Sequence, residues 1–358
     1  MSLHPDKRPR VHVLASAETS ALVLYGLLDV LGSVGAIYSE VTTGNPGEPL
    51  FSVKVAAENR DPFRCFGHVI VEPDEALADI ESTDIAIVCD MYQPIDRPPF
   101  GLYRAETAWL RRMYEGGALV ASVCSGSLIL AEAGLLDGME TAGHWCYAQT
   151  FRDYYPKVVM REDLALCCAG PDERIITTGA VSAWQDLALY LIARFCGHEH
   201  AVQTANIYLF SEHAEGQLPY VVSTPRIQST DAAVRDAQIW IADNYATHNP
   251  VGKLAHKIGL SQRNFTRRFR AATGITPLEY VQLIRVEEAK QLLETGRLSI
   301  EDAGYAVGYD DPTSFGRLFK RRTGLTPAAY RRKFATLTAI NIPAQTKPDF
   351  SQLSTRTR

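Results

Sequence analysis

The sequence predicts two structural units: a parallel α/β unit with helices on both faces of its sheet, then an all-α unit of tandem helix-turn-helix motifs. Three observations predict this. Short apolar runs of strand length alternate with helically spaced segments over residues 11–195. A helical block follows and carries an internal repeat with a period of 50 residues. The charge changes sign between the two: residues 1–225 hold 15 Lys and Arg against 29 Asp and Glu, and residues 226–334 hold 18 against 11. An acidic block joined to a basic one suggests two jobs, the second on a polyanion.

Composition permits two cores. The 358-residue chain is 46% apolar and 22% charged, within the range of folded domains. Its seven cysteines (Cys65, Cys89, Cys124, Cys146, Cys167, Cys168 and Cys196) are scattered without a C-x-x-C spacing. That fits reduced thiols rather than a disulfide frame or a structural zinc site. No apolar run reaches the roughly 18 residues of a membrane span, and residues 1–7 lack an apolar signal core. A cytoplasmic location with no membrane partner is expected.

Along the chain, residues 11–15 read as a strand and residues 21–32 place apolar side chains at helical spacing. Residues 85–89 are an unbroken apolar run and residues 118–123 one interrupted only by Ser122, and both fit strands buried on both faces. Residues 107–114 read as a helix closed by Gly116-Gly117, and residues 128–133 as one ending at Gly134. Residues 175–178 are strand-like and 184–195 helical. Strands alternating with helices imply a parallel sheet covered on both sides. We place the first domain at 10–213, a turn-rich linker at 214–229, the helical domain at 230–334, and a disordered Thr/Ser/Pro/Gln-rich tail at 335–358.

The repeat is the strongest signal. Residues 265–280 return as residues 315–330, with eight of sixteen positions identical. The identities are Phe265/Phe315, Arg267/Arg317, Phe269/Phe319, Thr273/Thr323, Gly274/Gly324, Thr276/Thr326, Pro277/Pro327 and Tyr280/Tyr330. Each copy has a turn glycine, Gly259 or Gly308, that allows the left-handed backbone of a tight interhelical turn. Ser261 and Asp311 are placed to cap the following helices, with Pro312 in the first helical position. The phenylalanines, four apart, point into a core, and the arginine between them faces elsewhere. Residues 278–293 form one helix that ties the copies together, so both second helices can enter successive major-groove segments of double-stranded DNA, roughly 34 Å apart. The other reading of such a repeat is a protein-binding helical array with a solvated basic face.

This block, with its closing Gly-x-Thr-Pro-x-x-Tyr, resembles the AraC/XylS family of transcription regulators over residues 226–334. The resemblance implies an operator as partner, with RNA polymerase a further one. It also implies that Arg263, Thr266 and Arg267 reach bases in the first half-site, and that Thr313, Gly316 and Arg317 hold the matching exposed positions in the second. Arg268, Arg270, Lys320, Arg321 and Arg322 are expected on phosphates. Ala303-Gly304 stands where the family has a larger apolar residue followed by Ala, and a looser second motif is expected.

In the first block, Ser122-Val123-Cys124-Ser125-Gly126 follows a strand and precedes a helix, the arrangement of a nucleophile elbow. A thiol at a helix start is expected to have a lowered pKa. His144 is a base candidate and Asp186 a weaker third member. With residues 130–138 and His144-Trp145, the stretch resembles the PfpI-like branch of the glutamine-amidotransferase-like superfamily over residues 10–200. That resemblance implies a flavodoxin-like sheet. Joined to an AraC-type tail, it looks like the GlxA-like subgroup of regulators. Active PfpI-type enzymes carry His directly after the cysteine, where this chain has Ser125, and relatives carry a Glu on the first helix, where residues 21–24 are apolar. General-base catalysis needs a base within reach, so no catalytic residue is assigned. Cys124, Ser125 and His144 become candidates for binding a small-molecule effector, in a domain that also forms a homodimer. The rivals are a PfpI-type cysteine enzyme and a thiol redox sensor, each with a DNA-binding tail.

The remaining motifs have plain readings. His198 and His200, two apart, read as a solvated turn, so no metal is expected. No glycine fingerprint for a nucleotide is present, so no cofactor is expected. Cys167-Cys168, Trp145 and Trp184 read as core.

Overall fold

A computed structural model describes residues 8–338 apart from 94, 96, 97, 212 and 223–230, with no side-chain description for 336–338. The chain divides into two compact units, Met1–Leu218 and Pro219–Arg358.

The first unit is built on a seven-stranded sheet. Its spatial order is Leu166–Ala169, Ile175–Thr178, Leu119–Ser122, Ile85–Val88, Arg10–Leu14, Ser52–Ala57 and Glu75–Ala76. All neighbours are parallel except the first pair. These two runs form central strands, buried along their whole length, because helices cover both faces. Ile85 and Ile87 face one core with Leu24, Leu27 and Leu31 of helix Ala21–Ser33 and Leu187 and Leu191 of helix Trp184–Cys196. Ala86 and Val88 face the other, with Trp109 and Leu110 of helix Arg104–Glu115 and Leu128 of helix Gly126–Glu132. The direction of winding reverses between strands Arg10–Leu14 and Ile85–Val88. Ligands of open α/β sheets bind at the strand carboxyl ends beside such a reversal.

Two expectations change here. Residues 198–200 open a helix, His198–Tyr208, rather than a turn, with Gly197 at φ 96° making the corner. Of the segment read as a linker, Gln217 is 3% exposed within the first unit, and Tyr220 packs on Phe334 in the second. Its last residues, 223–229, lie outside the described ones.

The second unit is wholly helical. Helices Pro250–Lys257 and Gln262–Thr273 form the first motif, and Ile300–Ala306 and Pro312–Thr323 the second. Helix Pro277–Thr295 joins them; its 19 residues span about 28 Å at 1.5 Å each. The repeat identities are mostly structural. Phe265, Phe269 and Tyr280 pack edge-on at 5.7 and 5.4 Å, and Phe315, Phe319 and Tyr330 follow at 5.6 and 5.3 Å, the first of these pairs tilted and the second edge-on. Thr273 and Thr323 donate to the carbonyls of Phe269 and Phe319 at 2.8 and 2.9 Å, fastening the helix ends. The caps form as expected: Ser261 accepts from the Asn264 amide, and Asp311 from the Thr313 and Ser314 amides. The turn glycines Gly259 and Gly308 take φ 68° and 88°.

Gly304 corrects the expected looseness. A Cβ there would meet the Phe315 ring at 3.0 Å, so the missing methyl admits Phe315 rather than leaving a void. The last helix, Pro327–Thr338, runs past the tail boundary set at 335. Residues 339–358 of the expected disordered tail lie outside the described residues.

Candidate functional site

Three strand ends converge on one pocket of 310 Å³. The Leu119–Ser122 strand delivers Cys124, the Ile85–Val88 strand delivers Asp90, and the loop after Arg10–Leu14 delivers Glu18; His144, Cys146 and Tyr147 close one side. The elbow is as sharp as its residues suggested. Cys124 sits at φ 54°, a left-handed conformation uncommon outside glycine. Gly126 has no alternative, since a Cβ would stand 2.6 Å from the Cys89 carbonyl. Ser125 clamps the turn: its buried hydroxyl donates to the Met91 carbonyl at 2.7 Å and accepts from the Met91 amide at 2.9 Å.

The electrostatics run against an activated thiol. Burial, at 5% exposure, pushes the Cys124 thiol well up, and the Asp90 carboxylate adds to it against smaller opposing contacts from Ser125. The expected lowering by the helix start is overturned, because desolvation outweighs one short helix's field. Burial lowers the His144 pKa and raises the Asp90 carboxyl to about 6. Asp90 Oδ1 is buried with no hydrogen-bond partner among the described residues. His144 Nδ1 accepts from the Cys146 amide at 3.2 Å, which fixes the ring, and Trp145 lies 5.1 Å from it. Among the described residues no group of three His, Cys, Asp or Glu side chains could hold a metal.

In the second unit, Arg263, Thr266, Arg267 and Arg270 line one hollow with Gln262 and Thr276. Their spacing of three, four and seven puts them on one helix face. Arg267 and Arg317 are the one repeat identity whose side chains are exposed in both copies. Thr313 and Lys320 are exposed on the second copy, and Gly316 is open on its Cβ side.

Two family models match the chain. The DJ-1/PfpI family matches residues 46–194, and a helix-turn-helix domain matches residues 254–333. The HTH-type transcriptional regulator CdhR of Pseudomonas aeruginosa is 26% identical, covering 89% of this chain and 92% of its own length. The HTH-type transcriptional regulator GlxA of Rhizobium meliloti is 27% identical, covering 80% and 87%. The chain is a helix-turn-helix transcription regulator with a DJ-1/PfpI domain. Solved structures similar to it include an AraC family transcriptional regulator from Pseudomonas putida (TM-score 0.45, 15% identity, 56% of this chain and 99% of that one). Drosophila melanogaster DJ-1beta is another (TM-score 0.46, 18% identity, 57% and 100%).

Within this regulator, Cys124, Ser125 and His144 do meet in one pocket. Asp186 does not join them. It accepts from His213 Nδ1 at 2.7 Å and from the His213 amide at 3.0 Å, lining a separate hollow. The view that no acid stands near the thiol is corrected by Glu18 and Asp90. The acids lie just before the first helix and at the end of the neighbouring strand Ile85–Val88, not inside the helix. The rule that ligands gather at strand carboxyl ends was the signal that could have found both. Two phosphate candidates also point elsewhere. Arg268 makes a two-pronged pair with Asp231, at 2.8 and 2.9 Å, bracing the helix that Asp231 caps. Arg322 is half-buried, near enough to Glu279 and Tyr309 to shift both. Arg270, Lys320 and Arg321 remain exposed. No single helix among the described residues is long and apolar enough to cross a membrane.

Proposed function

We propose that this regulator is a cytoplasmic, effector-controlled homodimer that reads an operator with Arg263, Thr266, Arg267, Thr313 and Arg317 and grips phosphates with Arg270, Lys320 and Arg321. The observation that carries it is the repeat itself. Seven of its eight identities do structural work in the core, the caps or the turns. Arg267/Arg317 is the one identity whose side chain is exposed in both copies. A surface residue held in register by two motifs joined by one helix suits two successive groove segments. Gly316 offers no side chain beside Arg317, so the first motif carries more of the base readout. Two half-sites favour a dimer over a single arm, and an operator-bound dimer can touch RNA polymerase.

The effector, a small polar molecule, sits at Cys124 and His144 with Glu18 and Asp90 around it. Ser125 holds the elbow and leaves its hydroxyl no freedom. Turnover is not part of this function: a thiol raised by burial is a weak nucleophile, and His144 Nδ1 is occupied by the Cys146 amide. A redox role is disfavoured for the same reason.

Selection from a randomised operator library at two salt concentrations tests the reading. Loss of a bidentate arginine–guanine contact costs about 1–3 kcal/mol and relaxes one base position. Arg267→Ala is therefore expected to change which operators are selected. Lys320→Ala is expected to weaken all sequences alike and flatten the salt dependence. Unchanged base preference and affinity in Arg267→Ala would return the protein-binding array as the better account.

A further inference from the structure

The two recognition helices belong to separate apolar cores. Phe265 and Phe269 pack with Val281 of helix Pro277–Thr295, whereas Phe315 and Phe319 pack with Val286 of the same helix. Between the motifs lies a hollow of 460 Å³, lined from both of them and from the joining helix. A hollow seam lacks the close packing that would fix the angle between two helical bodies.

Arg285 crosses this seam. It sits on the joining helix and lines the hollow. Its Nε donates to the Tyr245 carbonyl at 2.8 Å and its Nη2 to the Thr247 carbonyl at 3.1 Å. Those carbonyls follow helix Ala232–Asn244 and lead into Pro250–Lys257 of the first motif. Carbonyls at a helix end lack intrahelical donors, and the helix field there favours a cation. The same guanidinium lies over the Tyr309 ring, 5.0 Å from its centre. Tyr309 follows the turn glycine of the second motif and leans on Phe315 of its recognition helix, with the ring centres 5.7 Å apart. One planar group therefore grips the loop that opens the first motif and the turn of the second. Gly308 lets the two approach, since a Cβ there would stand 2.3 Å from the Ala246 carbonyl. The other charged approach across the seam, His248 to Asp310 at 3.7 Å, is open to solvent and adds little.

We propose that Arg285 is a positioning residue that sets the offset between the two recognition helices, and so the spacing of groove segments that one chain accepts. The proposal rests on the operator reading above. Lysine is no substitute, because a single ammonium does not span two carbonyls and also lay a flat face on a ring. Without the grip the second motif pivots about the joining helix. A pivoting pair tolerates altered spacing and loses affinity for the matched one, because binding then has to fix the angle as well.

The test uses the full chain and a duplex selected by the parent from the randomised operator library. Two altered duplexes carry one base pair more or one fewer between the segments that one chain reads. One base pair moves a segment by about 3.4 Å and turns it by about 35°. The parent is expected to bind each altered duplex about tenfold more weakly or worse. Arg285→Ala and Arg285→Lys should weaken the matched duplex and leave the altered ones nearly alone, so that the ratio falls to about threefold or less. Base preference within each segment should hold. Tyr309→Leu, which removes the ring and keeps the guanidinium, should lower the ratio as well, and it carries the test if Arg285→Ala melts early. A role in stability alone would weaken all three duplexes together and keep the ratio. That outcome, or a parental ratio in both Arg285→Lys and Tyr309→Leu, overturns the proposal. A parent with no spacing preference removes the two-segment reading itself, and the proposal falls with it.

Discussion

Gln217 joins the backbone just before His144 to the segment that leads into the second unit, and its removal has a calculable effect. The side chain is 3% exposed, and its Nε2 donates to the Gly143 carbonyl at 3.0 Å and the Leu164 carbonyl at 2.8 Å. Gly179 makes room for it: a Cβ there would lie 2.2 Å from Nε2. Gly216 just before it, at φ 66°, has no space for a side chain either, since its Cβ would fall 1.9 Å from the Asp163 carbonyl. Gln217→Ala loses two hydrogen bonds worth about 0.5–1.5 kcal/mol each. The vacated volume adds a cost, while removal of Oε1, which has no partner among the described residues, gives part of it back. A net loss of about 2 kcal/mol is expected, which lowers the melting temperature of a unit this size by roughly 4–8 °C. Gln217→Glu should be worse at neutral pH, because its carboxylate would face two carbonyl oxygens, and should partly recover in acid when it can donate again. Gly143 precedes His144, so effector response should fall with stability. The assay is thermal unfolding by near-ultraviolet circular dichroism, with operator binding alongside. If Gln217→Ala melts within 1 °C of the parent, or Gln217→Glu proves the milder change, the latch does not work as argued.

Three further outcomes follow from the same geometry. Gly126→Ala should destabilise the first unit by about 1–3 kcal/mol through overpacking, because the obstruction is the Cys89 backbone; denaturant titration showing no change would contradict this. Asp90 has a folded pKa of about 6 against an ordinary 3.8, so its contribution is fully present below pH about 4 and lost as pH rises through about 6. Asp90→Asn should therefore melt higher than the parent at pH 7.5, with the gap closing toward pH 4, and a pH-independent gap would refute it. Arg268→Ala should loosen the helix that Asp231 caps without changing the bases selected, so hydrogen exchange rises in residues 232–244 while library preference holds; an altered preference would put Arg268 back on DNA.

Much of this protein is legible in its sequence, and the residues show why. The central strands were readable because both faces of a covered parallel sheet exclude water, leaving unbroken apolar runs such as residues 85–88. The two motifs were readable because their function requires the same local geometry twice. The paired phenylalanines, the Thr-Gly end and the Thr-Pro start recur wherever that geometry does. Helix caps at Ser261 and Asp311 are set by neighbours within three residues, so they too belong to the sequence.

The pocket is different in kind. Glu18, Asp90, Cys124 and His144 come from four separate segments, and only the parallel order of the sheet brings their strand ends together. The helix start promised a lowered Cys124 pKa, while the depth of burial, a tertiary quantity, pushed it up. Arg268 and Arg267 are adjacent and chemically identical, yet one braces Asp231 and the other faces outward. The 100° step between successive helical residues sends them to different surroundings. What the sequence determined by itself are the local geometries, because short-range sterics and hydrogen bonds fix them. What only the tertiary structure decided is which charges meet and how dry they are, because both depend on segments far apart in the chain.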